Sequence, residues 1–337
     1  MENNWVLGIE STAHTLSFGG IYDSGLLIPS SSSMIKPEEG GIHPREAADH
    51  HADIAGALLK KFLQKNQLNL TDMSSVSFSQ GPGLGPCLRI GASIARSLSS
   101  AHNIPLIGVN HCVAHIEIGR LECNCDDPVL LYVSGGNTQV ISKLDGKYRV
   151  LGETLDIGIG NMLDKFARVH GYPFPGGPIV EIEADKWRSL NPDVDLMDYS
   201  LPYAVHGMDL AFSGTMTAAV RSIANGAEFG AVCWSLQEHV FAACIEVAER
   251  ALAHTGKTEL LLGGGVACNS RIKEMSRLMC QERGAMAFTP ANQYCVDNGT
   301  MIAVLGKLTL DSGYSTQLKE SAVNQNLRTD HTIVTWS

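Results

Sequence analysis

His111 and His115, in the run His111-Cys112-Val113-Ala114-His115, are the residues of this chain best spaced to do chemistry. The run follows a strand-like segment over residues 105–109 and itself reads as helix. Residues four apart on a helix stand one above the other on one face, so two imidazole nitrogens can reach one divalent metal ion. A zinc-peptidase helix needs Glu directly after the first His as general base. This chain has Cys112 there, which disfavours peptide hydrolysis through the motif. The plainer alternative is a pair of helix histidines with unrelated partners.

Two glycine-bearing turns offer a second kind of chemistry. Ser134-Gly135-Gly136-Asn137-Thr138 has the make-up of a phosphate cradle, because glycines admit close backbone approach and the N–H and hydroxyl groups can donate to anionic oxygens. An ordinary hairpin turn is its alternative. Gly263-Gly264-Gly265 ends an apolar strand and opens towards a helix, a place for an adenosine or an anion. A dinucleotide-binding reading ranks low: the motif comes late, Cys268 takes the third glycine position, and Glu282 precedes the next strand rather than ending it. A Walker A loop is absent from the sequence. Asp164 is placed near a helix start, as a ribose acceptor or a surface cap. Asp297 is read as beginning a helix, where a carboxylate is favoured by the dipole. Tyr132 enters the cradle on a strand, and Glu10 sits in the first hairpin as a surface turn residue or a base.

The elements that must position these groups occur twice. Residues 6–18 and 130–141 each read as strand, small polar turn and strand, and each opens an α/β segment. This predicts a duplicated two-domain fold with ligand between the halves, crossing over near Asp126-Asp127-Pro128. Helices are expected over residues 44–66, from a glycine-proline loop through Ser99, over residues 229–255 and over residues 297–310. Strands are expected at residues 260–262, 285–289 and, last, 332–336. Residues 171–177 form a proline-rich insertion.

With 337 residues and 44% hydrophobic content, the chain can bury two cores. No apolar run is long enough to span a membrane, and the N-terminus lacks the basic and apolar regions of a secretory signal, so a cytoplasmic protein is expected. Nine cysteines without a framework suggest reduced thiols; Cys123 and Cys125 are too close together for a zinc pair. A net charge of −10 is unusual for a protein that grips nucleic acid unaided, so a nucleic-acid substrate would need partners to supply part of the grip.

Taken together, the sequence resembles the universal tRNA threonylcarbamoyladenosine transferases, in the archaeal and eukaryotic branch found as the catalytic subunit of the KEOPS complex. The matching stretches are residues 8–15, 41–48, 110–117, 132–139, 207–214, 263–269, 297–298 and 328–336, across nearly the whole chain. The resemblance implies an actin-like, sugar-kinase-like ATPase fold of two α/β domains with the site in the cleft. The first domain would cover residues 1–127, completed by 298–337; the second would cover 128–297, with an insertion near 171–215. It implies metal ligation by His111, His115, Asp297 and Tyr132. Iron is favoured because of the tyrosinate, with zinc as the other candidate. It implies nucleotide and substrate contacts at Tyr132, Val133, Ser134, Gly135, Gly136, Asn137, Asp164, Gly177, Glu181, Gly264 and Asn269. The implied reaction moves threonylcarbamoyl from its adenylate to N6 of the adenosine 3′ of the anticodon in ANN-decoding tRNAs, releasing AMP, with ATP as an alternative occupant. Glu10 is read as the residue that assists proton removal from the attacking amine. Implied partners are tRNA, a small protein kinase or ATPase that some archaea fuse C-terminally, a dimerising small subunit and a further accessory protein; no membrane is involved. A small-molecule kinase or ATPase of the same fold, a nucleotide-sensing scaffold and a metallopeptidase are the alternatives. The histidine pair argues against the first, intact ligands and cradle against the second, and Cys112 against the third.

Overall fold

The first strand, β1 (Trp5–Glu10), is buried along all six residues, as a strand is when it sits mid-sheet with both faces covered. The structure is a computed structural model that describes residues 4–36 and 43–336; Gly41 and Ile42 of the second matching stretch lie outside them. Strands β2 (Thr15–Tyr22) and β3 (Leu27–Met34) continue from β1 as an antiparallel meander. After helix α1 (Pro44–Asn66), strand β4 (Met73–Gly81) returns parallel to β1. Helix α2 (Gly85–His102) then leads to β5 (Leu106–Asn110), parallel to β4, and directly into α3 (His111–Cys123).

The pattern repeats. Strands β6 (Val129–Val133), β7 (Thr138–Leu144) and β8 (Lys147–Glu153) come in succession, with β7 antiparallel to β6. Helices α4 (Ile159–Val169) and α5 (Gly177–Leu190) follow, then a small ribbon of β9 (Val205–His206) and β10 (Asp209–Leu210). Helices α6 (Ser213–Ala224) and α7 (Phe229–Thr255) precede β11 (Glu259–Gly263), which runs parallel to β6. Helix α8 (Ser270–Glu282), β12 (Met286–Phe288), α9 (Asn292–Cys295) and α10 (Gly299–Asp311) complete the elements. The strand orders are β3-β2-β1-β4-β5 and β8-β7-β6-β11-β12. In each sheet the first strand is central, with its meander on one side and parallel strands on the other, which is the duplication that the two hairpins announce.

The chain divides into two units. One holds the described residues up to Glu122, the stretch Leu144–Tyr148, and the chain from Val296 on; the other holds Cys123–Lys143 and Arg149–Cys295. Trp5, Leu7, Ile9, Phe18, Phe62 and Phe78 fill the first core. Val129, Leu131, Phe166, Phe212, Phe241 and Leu262 belong to the second. Burying each such side chain contributes roughly 1.5–3 kcal/mol. Among the described residues no helix is long and apolar enough to cross a membrane.

In the first unit α10 lies directly on β1 and β2. A Cβ at Gly8 would collide with Gly299 O and Ala303 N, and one at Gly19 with Thr300 N. Ser17 Oγ accepts from Gly299 N–H at 2.9 Å and Ser30 Oγ from Thr300 N–H at 3.0 Å, so the helix start is pinned in place. Two sequence expectations are corrected here. Helix α10 begins at Gly299, and its cap is Asn298, which accepts from Met301 N–H at 2.9 Å; Asp297 stands outside the helix. Residues 332–336 form no strand. A β-prone pentapeptide needs a neighbouring edge, and here Thr335 and Trp336 bond through their side chains to Ser312 and Glu117.

Candidate active site

Helix α3 starts without a loop because Asn110, the last residue of β5, caps it: its Oδ1 accepts from Cys112 N–H at 2.9 Å and Val113 N–H at 3.2 Å. His111 and His115 therefore leave the first two turns of α3, with ring centroids 4.9 Å apart and planes at 85°. Asp297, fixed by the seating of α10, brings its Oδ1 to 3.5 Å from His111 Nε2 and 3.4 Å from His115 Nε2. The three donor atoms all lie within 4.8 Å of one another. Ligand bonds of about 2.1 Å place neighbouring ligands of a tetrahedral site about 3.4 Å apart. The spacing thus fits a shared ion.

Glu10, read from the sequence as a surface turn residue or a base, is the fully buried last residue of β1, which removes the surface reading. Its Oε1 accepts from Thr12 N–H at 2.6 Å and from the Thr12 hydroxyl, and its Oε2 lies 2.9 Å from His111 Nδ1. A carboxylate only accepts, so Nδ1 carries a proton, and Nε2, on the Asp297 side, is the nitrogen that would take a metal ion. Burial opposes charge on His111, but Glu10 and Asp297 outweigh it and raise its pKa to about 9. Burial lowers that of His115. Burial also opposes charge on Asp297, yet His111 and His115 hold its carboxyl well below the usual range. Thr12 is the member that sequence reasoning misses; its signal is a hydroxyl two residues after a carboxylate at a strand end.

The remaining site residues lie in the second unit. Tyr132 and Val133 are buried in β6, and Gly135 and Gly136 are exposed in the turn that follows. Ser134 and Asn137 close that turn, with Ser134 N–H donating to Asn137 O at 2.8 Å. Gly160 N–H and Asn161 N–H donate to Ser134 O and Gly135 O, each at 3.0 Å, so the start of α4 is docked on the turn. Gly264, at φ +91°, packs against Val133 O so closely that a Cβ has no room. The two glycine turns therefore meet, while Gly136, Gly177 and Gly265 face open space.

The polar residues around these turns also hold structure. Asp164 lies inside α4, not near its start; its Oδ1 accepts from Gly176 N–H at 2.7 Å and Gly177 N–H at 3.3 Å and so caps α5. Glu181 Oε1 accepts from Ser270 N–H at 2.7 Å. Asn269 caps α8 through Arg271 N–H at 2.8 Å, and its Nδ2 donates to Gln237 at 2.9 Å.

Residues 27–304 match the family model of TsaD, described as tRNA N6-adenosine threonylcarbamoyltransferase. A "Probable bifunctional tRNA threonylcarbamoyladenosine biosynthesis protein" of Methanosarcina mazei is 51% identical over 100% of this chain and 60% of its own length. A "tRNA N6-adenosine threonylcarbamoyltransferase" of Thermococcus sibiricus is 48% identical over 98% of this chain and 99% of its own. The chain therefore spans about 60% of the length of the bifunctional relatives it matches. The crystal structure of Thermococcus kodakarensis HypF shares the fold, with a TM-score of 0.63 at 17% identity over 95% of this chain and 49% of that one. The fold is the duplicated α/β fold of the actin-like, sugar-kinase-like ATPases, and the chain belongs to the TsaD family of tRNA N6-adenosine threonylcarbamoyltransferases.

Proposed function

We propose that this chain transfers a threonylcarbamoyl group from threonylcarbamoyl-AMP to N6 of the adenosine 3′ of the anticodon in ANN-decoding tRNAs. The observation that carries the reading is the convergence of His111, His115 and Asp297 on one point. Two imidazoles and a carboxylate suit iron, with zinc as the other candidate. A bound ion would supply positive charge to an anionic oxygen of the acyl-adenylate. In the transfer the N6 nitrogen bonds to the carbamoyl carbon, the bond from that carbon to the phosphate oxygen breaks, AMP leaves, and N6 loses a proton.

The chain's own residues supply positioning. Glu10 fixes the His111 ring and its tautomer, and the exposed turn at Gly135 and Gly136 offers backbone N–H groups to the substrate's anionic end. Gly177 and Gly265, both facing open space, admit the adenosine. We assign the KEOPS-type subunits as partners, and the cytoplasm as the site of action, on the same reading. The test is transfer of labelled threonylcarbamoyl from its adenylate to unmodified tRNA, with and without those subunits, beside a His111→Ala/His115→Ala protein. Metal-dependent labelling that this variant loses is expected. No labelling with the full partner set would sink the reading in favour of a kinase-like or scaffold role.

A further inference from the structure

The chain after α10 forms no strand or α-helix among the described residues, yet it is tied to the start of the histidine-bearing helix and again beyond His115. At the start of α3, Asn110 turns its second amide group outward: Nδ2 donates to Leu327 O at 3.4 Å and Arg328 O at 3.2 Å. Beyond His115, the Glu117 carboxylate is 3% exposed and accepts the Trp336 indole N–H at 2.8 Å. The Tyr148 hydroxyl donates to the same oxygen, and Arg120 reaches the other at 3.0 Å. Earlier in the segment, Asn324 N–H donates to Gln80 O at 2.9 Å and Arg96 donates to Ser321, so its near end is held on β4 and α2.

Geometry gives these ties a purpose. A helix held only at its first residue can pivot there. With a rise of 1.5 Å per residue, His115 stands about 6 Å along the axis from His111, so a pivot of about 5° moves it by about 0.5 Å. That is the tolerance within which a metal-binding constellation must be held. Glu117 lies beyond His115, and a buried carboxylate satisfied by several donors resists any movement that strands its charge.

We propose that residues 321–336 are a strap that sets the angle of α3, and that Trp336, clasped on Glu117, is a positioning residue for His111 and His115. The proposal rests on the reading of His111, His115 and Asp297 as a metal centre. The test titrates Co(II) alone into the full chain against a chromophoric chelator and records the d–d spectrum of the bound ion. Trp336→Phe keeps an aromatic ring and removes the donor; Ile333→Ala changes a residue of the same segment that is 71% exposed. Trp336→Phe should bind Co(II) about tenfold more weakly with an altered spectrum, while its metal-free unfolding midpoint stays with that of the Ile333→Ala protein. Glu117→Gln should show the same loss. Wild-type affinity and spectrum in Trp336→Phe would overturn the strap, as would a loss matched by a lowered metal-free midpoint. A wild-type chain that binds no Co(II) would overturn the metal-centre reading itself, and the strap with it.

Discussion

Glu10 separates two roles that one carboxylate can take beside a histidine. As a proton acceptor it would need an oxygen turned to the attacking amine, but its Oε1 holds Thr12 and its Oε2 holds His111. The geometry favours fixing the ring. In Glu10→Gln the amide must set an N–H₂ group against Thr12 N–H, losing that anchor, or against the proton on His111 Nδ1, forcing the other tautomer, so the ring is no longer firmly held. Metal affinity, read by chelator competition, should fall at least about tenfold. Turnover that drops while metal affinity holds would return Glu10 to the base role. Of this group the sequence displays the histidine pair, because helical periodicity alone puts both rings on one face. Asp297 enters only through the family resemblance, because its arrival depends on glycines at the far end of the chain, and periodicity does not show the inward turn of Glu10, since a carboxylate ending a strand ordinarily reads as solvated.

Elements set how far such reading reaches. The limits of α7 are visible because an apolar run ends at Gly256, which takes the left-handed cap at φ +69°. Residues 332–336 mislead for the opposite reason: their composition is that of a strand, but they are tied through side chains to Ser312 and Glu117 and pair with no strand. Helix α10 depends on contact more than on propensity, so Gly8→Ala should push it off β1. We expect a loss of about 3 kcal/mol in a denaturant titration, with weaker metal binding as Asp297 moves away; unchanged stability would show that the helix yields at no cost. Helix α6 gives a pH prediction. Asp156 accepts from Ile157 N–H at 2.6 Å and from Phe212 and Ser213 N–H at 2.9 Å. Burial works to raise its pKa, but these backbone bonds outweigh it and lower it. A lowered folded pKa stabilises above the unfolded value of about 3.9 and is lost as pH falls through the folded one. The unfolding midpoint of Asp156→Asn should therefore lie below wild type at neutral pH, and the gap should close below about pH 4. A gap that persists in acid would mean that the neutral side chain caps equally well.

At the scale of the whole molecule the question is how an acidic chain would engage the polyanion proposed as its substrate. Thirty-five acidic residues stand against 25 basic ones, and the net charge of −10 repels tRNA at long range. Phosphate contacts release counterions, and each contributes about 0.7–0.9 to the slope of log affinity against log salt concentration. Few concentrated cationic contacts can form on such a surface, so the chain alone should bind labelled tRNA weakly with a slope magnitude below about 3. Adding the proposed partner subunits should steepen the slope, because their basic groups join the interface, and should tighten binding most at low salt. Fluorescence anisotropy across a salt series measures both quantities on the same samples. A slope near 8 for the chain alone would mean that roughly ten of its 25 basic residues are gathered on one face, and that the partners act on catalysis rather than on grip.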